Sequence, residues 1–138
     1  MIVADASVVL KWFFPDERDH EAALVLKERH LTGEEVITAP EFLAYEVSNI
    51  LMLKQKNSKD AVAGFLSFCA AGIQLEPSDA SQLVRAMELA HRYKTTVYDS
   101  CYVALAQTFR CRFVTADERL LADLKGVPQM VHLKEAAK

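Results

Sequence analysis

The run Met1-Ile2-Val3-Ala4 ends abruptly at Asp5, and helix-compatible sequence, Ala6-Ser7 and then Val8 to Phe13, follows at once. A short, continuous apolar run of this kind reads as a strand buried on both faces, as in the interior of a parallel sheet. A strand that feeds straight into a helix places Asp5 at its carboxyl end. In open α/β sheets ligands bind along that edge. The constraint on the remaining chain is therefore specific: other acids must come to meet Asp5 if the edge is a site.

The alternation continues. Pro15-Asp16-Glu17 opens a second helix with Ala22, Ala23, Val25, Leu26 and Leu31 on its apolar face, ended by Thr32-Gly33. Glu35 to Ala39 is a short strand, and Pro40 suits the first turn of the helix that runs to Lys56. That helix carries a stripe at Leu43, Val47, Ile50 and Leu51. Glu46 falls inside the stripe, where a carboxylate costs several kcal/mol unless its charge is compensated. Lys59 to Ala71 is a further helix, Ile73 to Glu76 a strand, and Pro77-Ser78-Asp79 opens a long helix to Lys94 with Leu83, Met87 and Ala90 as core contacts. Val97 to Arg110 is apolar nearly all round, the mark of a central helix, with Asp99 in its first turn. Arg112 to Thr115 is a strand that ends, like the first, at an acid, Asp117. A short helix to Leu124, a strand from Met130 to Leu133 and a frayed tail from Lys134 to Lys138 complete the reading. Strands alternating with helices over 138 residues predict one domain spanning 1–138. The expected architecture is a three-layer α/β/α sandwich with a central, mostly parallel sheet of four to five strands.

Composition matters mainly for what it removes. A formal net charge of −3 lacks the basic excess of a protein that grips long nucleic acid, but leaves room for a small anionic site working through bound cations. No apolar run is long enough to span a bilayer and no basic leader precedes one, so a cytoplasmic protein with no membrane association is expected. Cys69, Cys101 and Cys111 are an odd, scattered set without C-x-x-C, and Cys69 and Cys101 read as small buried hydrophobes. The four histidines lack metal-ligand spacing.

Four acids stand out: Asp5 and Asp117 after strands, Glu46 and Asp99 on buried-looking helices. Each has an ordinary alternative. Asp5 is a plausible N-cap; Thr96-x-x-Asp99 and Thr115-x-x-Glu118 fit capping boxes; Asp117 suits a first turn. Glu46, in mid-helix, has no capping excuse. If all four converge, they cannot all stay ionised without a counter-ion. An oxygen-only cluster suits Mg²⁺ or Mn²⁺, which would polarise a phosphoryl oxygen and activate a water for in-line attack.

The set Asp5-Ala6-Ser7, Glu46-Val47-Ser48-Asn49, Tyr98-Asp99-Ser100 with Tyr102-Val103-Ala104-Leu105-Ala106, and Val114-Thr115-Ala116-Asp117 resembles the PIN-domain ribonucleases of the VapC toxin type, in order and over nearly the whole chain. The resemblance implies an acidic quartet at Asp5, Glu46, Asp99 and Asp117 holding Mg²⁺ or Mn²⁺. It places Ser7 and Thr115 at hydroxyl positions that assist metal or phosphate, and Ser100 stands where alanine is common. It further implies an endoribonuclease acting on single-stranded RNA, a homodimer, and an antitoxin protein as partner. The rival expectation is a catalytically inactive PIN-like module that binds RNA or regulates. Around the quartet, Lys11, Arg18, Lys54, Lys56, Lys94 and Arg119 could guide a phosphate backbone, with solvated helix faces as the plainer reading. Trp12, Phe13 and Phe14 are either base-stacking or packing residues.

Overall fold

A computed structural model describes residues 1–138. Five strands, β1 (Ile2–Ala4), β2 (Ile37–Pro40), β3 (Gln74–Glu76), β4 (Arg112–Thr115) and β5 (Met130–His132), form one sheet in the order β3-β2-β1-β4-β5. Every pairing is parallel. Eight helices connect and cover it: α1 (Ala6–Val9, continued by a 3-10 turn Leu10–Phe13), α2 (His20–Leu31), α3 (Leu43–Lys54), α4 (Ser58–Ala70), α5 (Ala80–Tyr93), α6 (Val97–Phe109), α7 (Glu118–Asp123) and α8 (Leu133–Ala136). The α/β sandwich expected from the alternation is what the chain adopts.

The short strands are central because successive residues are buried on both faces. Ile2, Val3 and Ala4 are each inaccessible to solvent, as are Phe113 and Val114 on the neighbouring strand. A strand exposed on one face would alternate. Helix α6 packs against β1, β2 and β4 and is buried continuously from Ser100 to Ala106. Tyr102 of α6 stacks on Phe113 of β4, with ring centroids 5.5 Å apart and planes 10° from parallel. Aromatic pairs of this kind contribute about 1 kcal/mol beyond the burial of their area.

The strand order reverses between β1 and β4: the chain adds strands on one side of β1 up to β3, then crosses to the other side. Asp5 leaves β1 and Thr115 closes β4, so both lie at this switch point on the carboxyl edge, the place where open α/β sheets leave a crevice.

Several expected boundaries move. The second helix begins at His20, not at Pro15, because Asp19 takes a left-handed backbone (φ 65°) that breaks any helix started earlier. Pro40 ends β2 instead of opening α3. Pairing of β1 with β2 covers only Ile37 and Thr38, so no partner on that side needs the N–H that proline lacks. The tail is not frayed: Leu133 and Ala136 are buried. Arg29 donates to the carbonyls of Ala136 (3.1 Å) and Ala137 (3.4 Å), and Lys134 pairs with Asp19 at 3.1 Å. On α5 the core contacts are Ala86 and Ala90, while Leu83 and Met87 point outward at 41% and 60% exposure; α5 packs on α6 by its small residues. Cys69 is exposed, whereas Cys101 is buried as expected.

Candidate active site

The site starts from Asp5. Its position one residue past a buried strand makes it the N-cap of α1, with Oδ1 accepting the Val8 N–H at 3.3 Å. Capping does not exhaust it. Ser7 Oγ donates to Oδ1 and Thr115 Oγ1 donates to Oδ2, both at 2.5 Å. Each hydroxyl has one hydrogen. Both hydrogens go to Asp5, so the 3.2 Å Ser7–Thr115 oxygen contact is held by the carboxylate between them. The hydroxyl oxygens in turn accept backbone N–H groups: Ala116 on Ser7 (2.8 Å) and Asp117 on Thr115 (3.1 Å). The resemblance implies that these hydroxyls assist metal or phosphate. Here they clamp Asp5, Ser7 from the same turn and Thr115 from 110 residues away.

Asp5 is 7% exposed. Burial pushes its carboxyl up to about 6; the bonds from Ser7, Thr115 and Val8 pull it back, and the charge of Glu46 raises it further. Glu46 is half-buried on the first turn of α3, not in mid-helix as expected, because the helix starts at Leu43 and not at Pro40; a first turn favours negative charge. Its carboxyl is also raised, by burial first and by the charge of Asp99, against the lowering effect of a hydrogen bond from Tyr102. Asp99 stands half-buried in the first turn of α6. Its backbone N–H donates to Thr96 Oγ1 (3.0 Å) and its Oδ2 accepts from Thr95 Oγ1 (3.3 Å). Thr96 therefore caps α6, but the reciprocal bond of a capping box is replaced by the contact with Thr95. Three acids thus feel one another's charge in a chain, Asp5 to Glu46 to Asp99.

Asp117 is placed differently. It is exposed and is itself the N-cap of α7, with Oδ1 accepting from the N–H groups of Arg119 (2.9 Å) and Leu120 (3.0 Å). The capping box expected from Thr115 does not form, because Thr115 still belongs to the strand and its hydroxyl serves Asp5. Asp117 is linked to the other acids through its backbone bond to Thr115.

None of the four acids is in an ion pair; the ion pairs of the chain all join other residues. No three His, Cys, Asp or Glu side chains are close enough as they stand to share one ion. The donor chemistry nonetheless fits a hard divalent cation: only oxygens, two acids raised by burial and by a neighbouring carboxylate, and no lysine or arginine paired with them.

The residue that sequence reading missed is Tyr102. The sequence offers it as one residue of the apolar α6 run and of the family motif, without a role; it is buried, and its phenol O–H donates to Glu46 Oε2 at 2.5 Å. Burial together with the charges of Glu46, Asp5 and Asp99 raises its pKa strongly, so it stays a neutral donor. The available signal was its spacing, three residues after Asp99 and so on the same helix face.

The family model of the PIN domain matches residues 2–126. The chain belongs to the PIN domain family. A relative, Ribonuclease VapC3 of Pyrobaculum aerophilum, is 29% identical over 126 residues, which cover 86% of this chain and 91% of the relative. Among solved structures, a toxin–antitoxin complex from Klebsiella pneumoniae contains a similar chain (TM-score 0.70, 17% identity, 96% of this PIN chain and 98% of that one). VapC20 of Mycobacterium tuberculosis, described as a Sarcin-Ricin loop cleaving toxin, is also similar (TM-score 0.68, 16% identity, 88% and 94% covered). At those identities the structures speak for the PIN fold. No helix is long and apolar enough to cross a membrane.

Proposed function

We propose that this PIN domain is a divalent-metal-dependent endoribonuclease that cleaves single-stranded RNA, and that it is the toxin of a toxin–antitoxin pair. One observation carries the reading: Asp5, almost fully buried, is held by two hydroxyls beside Glu46 with no cation to offset either charge. A fold tolerates that cost at a ligand-binding edge when a ligand removes it. The likeness to Ribonuclease VapC3 supports RNA as the substrate.

In this assignment Asp5, Glu46 and Asp99 hold Mg²⁺ or Mn²⁺, and the free Oδ2 of Asp117 completes the set. The ion would supply Lewis-acid polarisation of the phosphate and a water acidic enough to attack it. The protein's own part is placement. Ser7 and Thr115 fix both oxygens of Asp5, and the cap bonds of α7 fix Asp117 at the rim. No side chain is needed as a covalent nucleophile. A homodimer, an antitoxin partner and a cytoplasmic location belong to the same reading. Exposed Tyr45, Met52, Leu53, Val62 and Leu66 on α3 and α4 supply apolar surface suited to protein partners.

The test is cleavage of a mixed-sequence single-stranded RNA with Mn²⁺ and then with chelator, by the wild type, Asp5→Asn and Asp99→Asn. Cutting that needs metal and disappears in both variants, with folding retained, is the expected result. Cutting that persists in chelator would overturn the metal requirement, and a protein that binds the RNA but neither cuts it nor takes up Mn²⁺ would be a binding module.

A further inference from the structure

We propose that Tyr102 is a positioning residue of this site: its phenol O–H holds the Glu46 carboxylate in the acidic cluster, where a divalent cation needs it. The inference rests on the metal-dependent reading above and concerns a residue outside the acidic set.

The geometry carries it. Tyr102 is 2% exposed, and its ring is fixed from two sides. Phe113 stacks against one face, and Phe42, at the start of α3, meets it edge-on with centroids 5.5 Å apart and planes at 87°. A ring packed in this way has little freedom, so the direction of its O–H is set by the core. That direction ends on Glu46 Oε2 at 2.5 Å.

An ordinary buried tyrosine also finds a partner for its hydroxyl, and a backbone carbonyl would serve. What sets this one apart is the state of the acceptor. The Tyr102 bond is the single hydrogen bond made by the Glu46 side chain, which has no ion pair. Glutamate has three side-chain torsions and stands here at a half-buried position beside two other acids. Repulsion from Asp5 and Asp99 favours rotation outward to water. The phenol opposes that rotation without adding charge, so it does not compete with a cation for the site. It occupies one oxygen of Glu46 and leaves the other open. Asp5 is served in the same manner by Ser7 and Thr115, so both of these site acids are held by neutral hydroxyls. Partners that orient metal-binding carboxylates typically change affinity 10- to 100-fold when removed.

The experiment is a calorimetric Mn²⁺ titration of the full chain without RNA, for the wild type, Tyr102→Phe, Glu46→Gln and the double variant. Phenylalanine keeps the ring and its two aromatic contacts, and near-UV circular dichroism checks the packing. We expect Tyr102→Phe to weaken Mn²⁺ binding about tenfold and to weaken it no further in the Glu46→Gln background. A Tyr102→Phe protein that binds as the wild type does, or one that loses the same factor in both backgrounds, overturns the assignment. Should that variant lose its native spectrum, Phe42→Leu, which removes one of the two rings that aim the phenol and touches no acid, repeats the titration. A tenfold weakening supports the proposal and an unchanged affinity overturns it. A wild type that binds no Mn²⁺ overturns the metal reading itself, an outcome separate from the others.

Discussion

The two ends of the sheet treat buried charge in opposite ways. At the amino end Glu35 meets the N-terminal ammonium of Met1 and the Arg112 guanidinium, the latter at 3.1 Å, so its charge is matched twice. At the carboxyl end Asp5, Glu46 and Asp99 face each other and neutral hydroxyls, and burial raises the carboxyls of the first two. Both ends are built on the same β1 and β4. The difference teaches that the unmatched acids are not forced by the fold, since the fold pairs an acid readily where nothing must bind.

The largest test of this contrast is catalytic. Asp5→Asn should lower metal-dependent RNA cleavage by about three orders of magnitude, the scale of several kcal/mol of transition-state charge stabilisation. Glu35→Gln should stay within about twofold. Comparable losses in single-turnover assays of both variants would break the distinction between the ends.

Next in size is the pH dependence of stability. Asp5 has a folded pKa above its ordinary value of 3.8, so between about pH 4 and 6 the folded state binds the proton that the unfolded state has released. Stability therefore falls as pH rises through that window, by about 3 kcal/mol for a shift of two units, and does not recover above it. Asp5→Asn removes the ionising group, and its amide can still bond both hydroxyls. In chelator at pH 8 it should melt about 10 °C above the wild type, with the gap closing near pH 4. A variant that melts lower at pH 8 would mean that the charge is compensated after all.

Added metal should act in the same sense. Mn²⁺ at one hundred times its dissociation constant stabilises a binding protein by about 2.7 kcal/mol, so the wild type should melt higher with it. Asp5→Asn should show little shift, and an equal shift in both would point to binding elsewhere. The smallest effect lies outside both ends. Glu17 is held below the usual carboxylate range by Lys54, with Lys11 assisting, and Glu17→Gln should cost at most about 0.5 kcal/mol in a urea titration. A larger cost would mark the loop from Phe14 to Asp19 as part of the site.

Most of the architecture was legible because period and punctuation agree. Short strands running into acids gave β1 and β4, and the all-round apolar run gave α6. The misplaced pieces share a cause, which is that local preference was overruled by partners far away in sequence. Proline prefers a helix's first turn, yet Pro40 ends β2 because β1 stops pairing there. The tail looked weak until Arg29 and Asp19 supplied its bonds. Asp5, Glu46 and Asp99 were legible as acids at costly positions. Tyr102 was not, because a tyrosine in an apolar helix looks the same whether its hydroxyl meets a backbone carbonyl or a carboxylate. The role of Ser7 and Thr115 was likewise hidden, since their acceptor depends on how β1 and β4 come together.

The bond from Thr115 to Asp5 also bears on when the protein comes into being. Its two ends are 110 residues apart, and β1 is paired on both sides only when β4 is in place. Contacts of such long range are slow to form and must wait for their later half to be synthesised. A growing chain can exhibit Asp5 and Glu46 while still on the ribosome, but not the clamp that orders them. The acidic edge is thus completed late, after most of the polypeptide has been made.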